Sequence, residues 1–254
     1  MRISKKQVYS LLFIALVPAA LGSSVGVWIP NPLRLLLAFL WVTAPMGDFV
    51  LRVRDGRIPW TIRRPMACLL GWCIASVLAL LLACIGANWL VFGILLGLGN
   101  AVVILFKKEN RTADSQRNHA GVSALSVFLF LLTVIALLYV LNMGGFMAQD
   151  GRYHIGYILE VIQRGGPGSA HPFLDGADYD PRYTVSSYHS VLAFLSVFAK
   201  VPHDEVWFYI PAFWVILAVG VWRFFGLRVF SSRPVGDLCA SFFLLLSLVA
   251  YPGR

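Results

Sequence analysis

Seven long apolar runs constrain this chain more than any other feature: Val8–Ile29, Leu33–Val50, Met66–Gly86, Trp89–Phe106, Val122–Met143, Val206–Phe230 and Val235–Tyr251. A helix that crosses a bilayer needs roughly 20 mostly apolar residues. In hydrocarbon every backbone N–H and C=O must be satisfied inside the segment, so runs of this length are expected as helices. Hydrophobic residues make up 59% of the chain and charged residues 13%, whereas soluble domains run about 45–50% apolar and about 25% charged. That excludes a soluble globule, a disordered tail and a disulfide scaffold. The expected fold is an all-α polytopic membrane protein. It has about seven transmembrane helices and an extracytoplasmic loop carrying short amphipathic juxtamembrane helices. Only Ala87 and Asn88 separate the third run from the fourth, which predicts a tight hairpin.

The first run follows a basic start, Met1–Lys6, as a signal peptide would. It continues to Ile29 and leads into further runs, so it reads as an uncleaved span. The Lys and Arg residues set the orientation. Fifteen of the 21 fall on the side that carries the N-terminus, in clusters such as Arg52, Arg54, Arg57, Arg63 and Arg64. Six fall on the other: Arg34, Arg152, Arg164, Arg182, Lys200 and Arg254. The N-terminus is therefore expected in the cytoplasm, in the cytoplasmic membrane of a prokaryote. The net charge of +9 is a topology signal. A nucleic-acid surface gathers its bases on one folded face, and here they are scattered over helix ends, so no nucleic-acid partner is expected. Cys68, Cys73, Cys84 and Cys239 all lie inside spans without metal-motif spacing and read as small hydrophobes.

Polar chemistry is concentrated in the longest gap between runs, Gly144–Glu205, on the outer side. It holds seven of the twelve acids and four of the five histidines. Within it, Asp150-Gly-Arg-Tyr-His154 opens a predicted helix that runs to about Arg164 and stops at Gly165-Gly166-Pro167. Asp150 and His154 are four apart and share a face, which Tyr157 continues. Asp150 reads either as an N-cap or as a carboxylate held for proton transfer, and the two roles are compatible.

Asp175, Asp178 and Asp180 follow in a segment rich in Gly and Pro. Three carboxylates so close are weak candidates for a divalent metal site, but Asp, Gly and Pro are also turn residues and the spacing is not that of an EF-hand. No cofactor is certain, a divalent metal is possible, and a solvated turn is the favoured reading. Ser186–Lys200 forms a third element: Ser186, His189, Ala193, Ser196 and Lys200 recur at helical spacing, opposite Val191, Leu192, Leu195 and Phe198. At 15 residues it reads as a helix lying on the outer bilayer surface.

At these residues the segment from Val122 to Tyr251 resembles the start of the catalytic module of GT-C type glycosyltransferases. These enzymes, protein mannosyltransferase-like proteins among them, use polyprenyl-phosphate sugars. The similar features are an Asp-containing helix after an outward-emerging span (Asp150-Gly-Arg-Tyr-His154), a Pro- and Tyr-containing stretch (Asp180-Pro-Arg-Tyr-Thr184) and a Tyr-His juxtamembrane helix (Tyr188-His189). The resemblance covers about half the chain. It implies that Asp150 is the catalytic base, taking a proton from an acceptor hydroxyl while lipid phosphate leaves the sugar. It also implies substrate contacts for His154, Arg152, Arg182, Tyr188 and His189, and partners that include the bilayer and a polyprenyl-phosphate-linked sugar donor. Asp150 is followed by Gly151, where many relatives carry Glu.

Two regions result. Residues 1–121 form an N-terminal four-helix transmembrane region outside the resemblance. Residues 122–254 form the start of the GT-C-like module, with a span at 122–143, the outer loop at 144–205, and spans at 206–230 and 235–251. The module is expected to be truncated at Arg254. The alternatives are a non-catalytic membrane scaffold subunit, with the outer loop as a binding surface, and part of a transporter. The latter would carry ionisable groups deep inside its spans.

Overall fold

The computed structural model describes residues 5–54, 60–106, 123–143, 149–167 and 186–250. Among them are nine α-helices and no strands. They are α1 (Lys5–Gly22), α2 (Asn31–Arg54), α3 (Trp60–Cys84), α4 (Trp89–Leu105), α5 (Ala124–Met143), α6 (Gln149–Gln163), α7 (Ser187–Ala199), α8 (His203–Phe230) and α9 (Arg233–Ala250). Four segments are long and apolar enough to cross a membrane: Asn31–Leu51, Ile62–Cys84, Ala124–Asn142 and His203–Phe230. The other predicted runs are helical too. The first is shorter than expected, ending at Gly22 and passing into a 3₁₀ turn, Ser24–Trp28. Large apolar side chains face outward, as in α5, where Val127, Phe128, Phe130, Leu131, Ile135 and Leu138 are exposed. In water such a surface is a liability; in a bilayer it meets lipid.

Lipid tails are as apolar as leucine, so helices associate there through close packing and hydrogen bonds. α2 and α3 show both devices. A β-carbon on Gly47 would fall 1.7 Å from the Ala67 carbonyl oxygen, and one on Gly71 would fall 1.7 Å from that of Thr43. Only glycine allows this backbone approach.

Prolines inside helices supply the second device. Pro18 has no N–H for the Ile14 carbonyl, and the Trp41 indole Nε1 donates to that oxygen at 3.0 Å. Pro45 likewise leaves the Trp41 carbonyl without its helical partner, and Asn100 Nδ2 donates to it at 2.9 Å. A proline's missing donor in one helix is thus replaced by a side chain from another, which ties α1, α2 and α4 together.

Charged groups come together at the two ends of the bundle. At one end Arg63 Nε donates to Asp48 at 2.8 Å, and Arg223 Nε and Ser126 Oγ donate to the buried Asp237, each at 2.6 Å. At the other end Asn31 donates to Glu205 at 2.8 Å, and Arg34 donates to Asn31 and, at 2.9 Å, to the Lys200 carbonyl. Lys200 Nζ donates to the Gly22 carbonyl at 2.7 Å. These cations cover the C-terminal carbonyls of α1 and α7, where helix dipoles favour positive charge.

α7 corrects one expectation. It does not lie on a surface with one face bare; nine of its 13 residues are buried, among them His189, Ala193 and Ser196 of the supposed polar face. It packs against α1, α2, α3, α6 and α8. That face is built from small residues and one imidazole, so helices can close on it, and its hydroxyls find internal acceptors, as Ser196 Oγ does at the Val201 carbonyl, 2.7 Å away. The amphipathic helix of the loop is α6. It buries Tyr157, Ile158 and Val161 and exposes Arg152, Leu159 and Gln163.

Candidate functional site

The first two turns of α6, the first turn of α7 and Trp207 of α8 come together at one place. α6 runs to Gln163 and turns at Gly165, whose φ of +74° is one that glycine tolerates. The Gly165 carbonyl accepts from the Trp89 N–H at 3.0 Å, which pins the end of α6 to the start of α4. α7 begins at the N-cap Ser186, whose side-chain oxygen accepts from the His189 N–H, and its first turn packs beside Trp72 at the midpoint of α3. α8 begins at His203 and presents Trp207 at the end of its first turn. A β-carbon on Gly151 would lie 3.5 Å from the Trp207 indole nitrogen, so the first turn of α6 rests on that ring.

At the junction His154 Nδ1 and His189 Nε2 are 2.9 Å apart. His189 Nδ1 is hydrogen-bonded to Ser186 Oγ, so both of its ring nitrogens are engaged. His154 stacks on Trp207 with centroids 4.9 Å apart and lies nearly parallel to His189 at 5.1 Å. Tyr157, 1% exposed, tilts against His189, and its hydroxyl is 3.1 Å from that of Tyr153. Tyr188 packs on Trp72 and Trp214.

Electrostatics separate the two imidazoles. His189 is 3% exposed. Burial, and secondarily the neighbouring His154, push it down from 6.5 to about 4, so it is neutral at physiological pH. Burial pushes the Tyr188 hydroxyl up, so it too stays neutral. A neutral imidazole has one N–H and one lone pair. The Ser186–His189–His154 chain therefore has two tautomeric arrangements. When the Ser186 hydroxyl donates to His189 Nδ1, His189 Nε2–H donates to His154 Nδ1. In the reverse direction His154 Nδ1–H donates to His189 Nε2 and His189 Nδ1–H to the Ser186 oxygen.

Of the residues singled out from sequence, His154, Tyr188 and His189 are brought together. Arg152 is exposed on α6. Asp150 lies in the first turn of α6, one turn before His154, with its side chain outside the described residues. Arg182, Asp175, Asp178 and Asp180 also lie outside the described residues. Among the described residues no cluster of three or more His, Cys, Asp or Glu is placed to hold a metal ion. Sequence reasoning missed Ser186 as the hydrogen-bond partner of His189 and Trp207 as the ring on which His154 stacks. Ser186 carried a local signal, a hydroxyl three residues before the histidine at a helix start. Trp207, fifty-three residues from His154, carried none.

No protein-family model, curated protein or solved structure matches the chain. Among the described residues the fold defines an all-helical class, with four helices long and apolar enough to cross a membrane.

Proposed function

We propose that the chain belongs to a membrane glycosyltransferase that moves a sugar from a polyprenyl-phosphate donor to an acceptor hydroxyl on the extracytoplasmic side. Asp150 accepts the acceptor's proton as that oxygen bonds to the anomeric carbon. The bond from that carbon to the phosphate oxygen breaks, and the phosphate leaves with the electron pair. His154 Nε2–H donates to the leaving phosphate, and His189 and Ser186 hold His154 in the tautomer that can do so. Arg152, Arg182 and Tyr188 contact the donor.

The carrying observation is the hydrogen-bonded imidazole pair that joins the second turn of α6 to the first turn of α7, with Trp207 of α8 stacked on it and Asp150 one helical turn before His154 in the chain. The start of α7 presents a positive dipole end and suits an anion, and an aspartate one turn before a hydrogen-bonded imidazole can supply a base and an acid. Transfer from labelled polyprenyl-phosphate sugars by the purified protein in lipid tests the reading. Asp150→Asn is expected to abolish transfer at unchanged protein abundance, and His154→Gln to lower it by about 100-fold. Transfer that survives Asp150→Asn would remove Asp150 from the mechanism.

A further inference from the structure

The 3₁₀ turn between α1 and α2 carries a second feature, independent of the function proposed above. Among the described residues Trp28, 88% exposed, is the most exposed large apolar side chain, and Val27 beside it is 72% exposed. The Trp28 ring makes no aromatic contact and no hydrogen bond among the described residues. The turn itself is firmly built. The Gly26 N–H donates to the Ser23 carbonyl at 3.2 Å, and the Gly26 carbonyl accepts from the Ile29 N–H at 3.2 Å. A β-carbon on Gly26 would fall 2.7 Å from the Ala20 carbonyl oxygen, so the turn is folded back tightly on the end of α1. Val27 and Trp28 are therefore held outward by the backbone.

The position of the turn points to what covers them. α1 has 18 residues, about 27 Å at 1.5 Å per residue, slightly less than the roughly 30 Å of a hydrocarbon core. Three residues after Trp28, Asn31 opens a segment long and apolar enough to cross a membrane. Leu12 and Leu16 of α1 and Leu33 of α2 are also exposed, so apolar surface flanks the turn on both helices. Charged groups lie at the same end. Lys200 donates to the Gly22 carbonyl at 2.7 Å, Asn31 donates to Glu205 at 2.8 Å and to it Arg34 is joined through Asn31, with Asp204 beside Glu205 in the first turn of α8. Two cations and two anions balance, as the charges of a zwitterionic headgroup layer do. An indole has an apolar body and a polar N–H, and it favours the boundary where the two environments meet.

We propose that Val27 and Trp28 form a lipid anchor. They seat at the boundary between phospholipid headgroups and acyl chains and fix this end of α1, whose length alone falls short of the bilayer. The occupant of this surface is the phospholipid layer itself.

Tryptophan fluorescence of the full chain in phosphatidylcholine vesicles tests it. The signal lost in Trp28→Phe isolates Trp28 from the other tryptophans. That signal is expected to be quenched about twofold more by lipid brominated near the glycerol end of the acyl chain than by lipid brominated near its middle, and little by aqueous iodide. Val27→Asp, at an exposed position, is expected to shift the quenching toward iodide. Quenching by iodide alone would overturn the proposal by placing the turn in water. Protection from all three quenchers would overturn it in favour of a protein partner or a second copy of the chain. Stronger quenching from the middle of the acyl chain would overturn it by placing the turn inside the hydrocarbon. An unchanged pattern in Val27→Asp would remove Val27 from the anchor.

Discussion

His154 Nδ1 lies 2.9 Å from His189 Nε2 and joins two helices through residues thirty-five positions apart. His189 has Ser186 on its other nitrogen and is 3% exposed.

Acid should weaken the protein through His189. Its folded value of about 4 lies below the ordinary 6.5. The unfolded chain takes up the proton first as pH falls. The contribution of His189 is therefore complete above about pH 6.5 and is lost progressively toward pH 4, amounting to about 3 kcal/mol. Thermal denaturation in detergent across this window checks it. The wild type is expected to lose stability with acid more steeply than His189→Gln; parallel profiles would show that His189 does not titrate this way.

The Pro45–Trp41–Asn100 relationship predicts a coupling. Asn100→Leu removes the donor to the Trp41 carbonyl and is expected to cost about 1–3 kcal/mol. Pro45→Ala restores a backbone N–H for that carbonyl, so the double variant should recover part of the loss. A double-mutant cycle in detergent-induced unfolding measures the coupling. Additive effects would mean that Asn100 acts through some other contact.

Gly71→Ala should separate α2 from α3, because its new carbon would meet the Thr43 carbonyl at 1.7 Å. Backbone has to move, and overpacking of this kind costs about 1–3 kcal/mol or more. Gly93→Ala is the control, since a carbon there would touch only the Phe194 ring at 3.5 Å. Size-exclusion profiles are expected to show loss of the folded peak for Gly71→Ala alone.

Asp237→Asn leaves the partly buried Arg223 guanidinium without its carboxylate and is expected to destabilise by about 3–5 kcal/mol. Replacing both partners, as Asp237→Leu with Arg223→Met, should cost less than the single change. Unfolding midpoints of the two variants decide the point, and a double variant that is no better than Asp237→Asn would contradict it.

The helices were legible because their signals are local. Hydropathy over some twenty residues marks Ile62–Cys84 and Ala124–Asn142 without reference to any other part of the chain. Gly165-Gly166-Pro167 marks the end of α6 through backbone geometry alone. The environment of α7 was not legible. Ser, Ala and His along one face read as a wetted surface, but the same small side chains also permit packing on every side. Periodicity reports that a face differs, not what covers it.

The candidate site divides along the same line. The sequence by itself determined that the chain is helical and membrane-adapted, and that most of its acids and histidines are gathered between two apolar runs, because hydrophobic length and charge placement act over short stretches. Only the tertiary structure decided that Ser186, His189, His154 and Trp207 form one chain of contacts, and that Trp41 and Asn100 repair what Pro18 and Pro45 leave open. Those contacts join residues with no shared period or spacing. Their strength comes from hydrogen bonding in a low-dielectric interior, which exists only once the helices have packed.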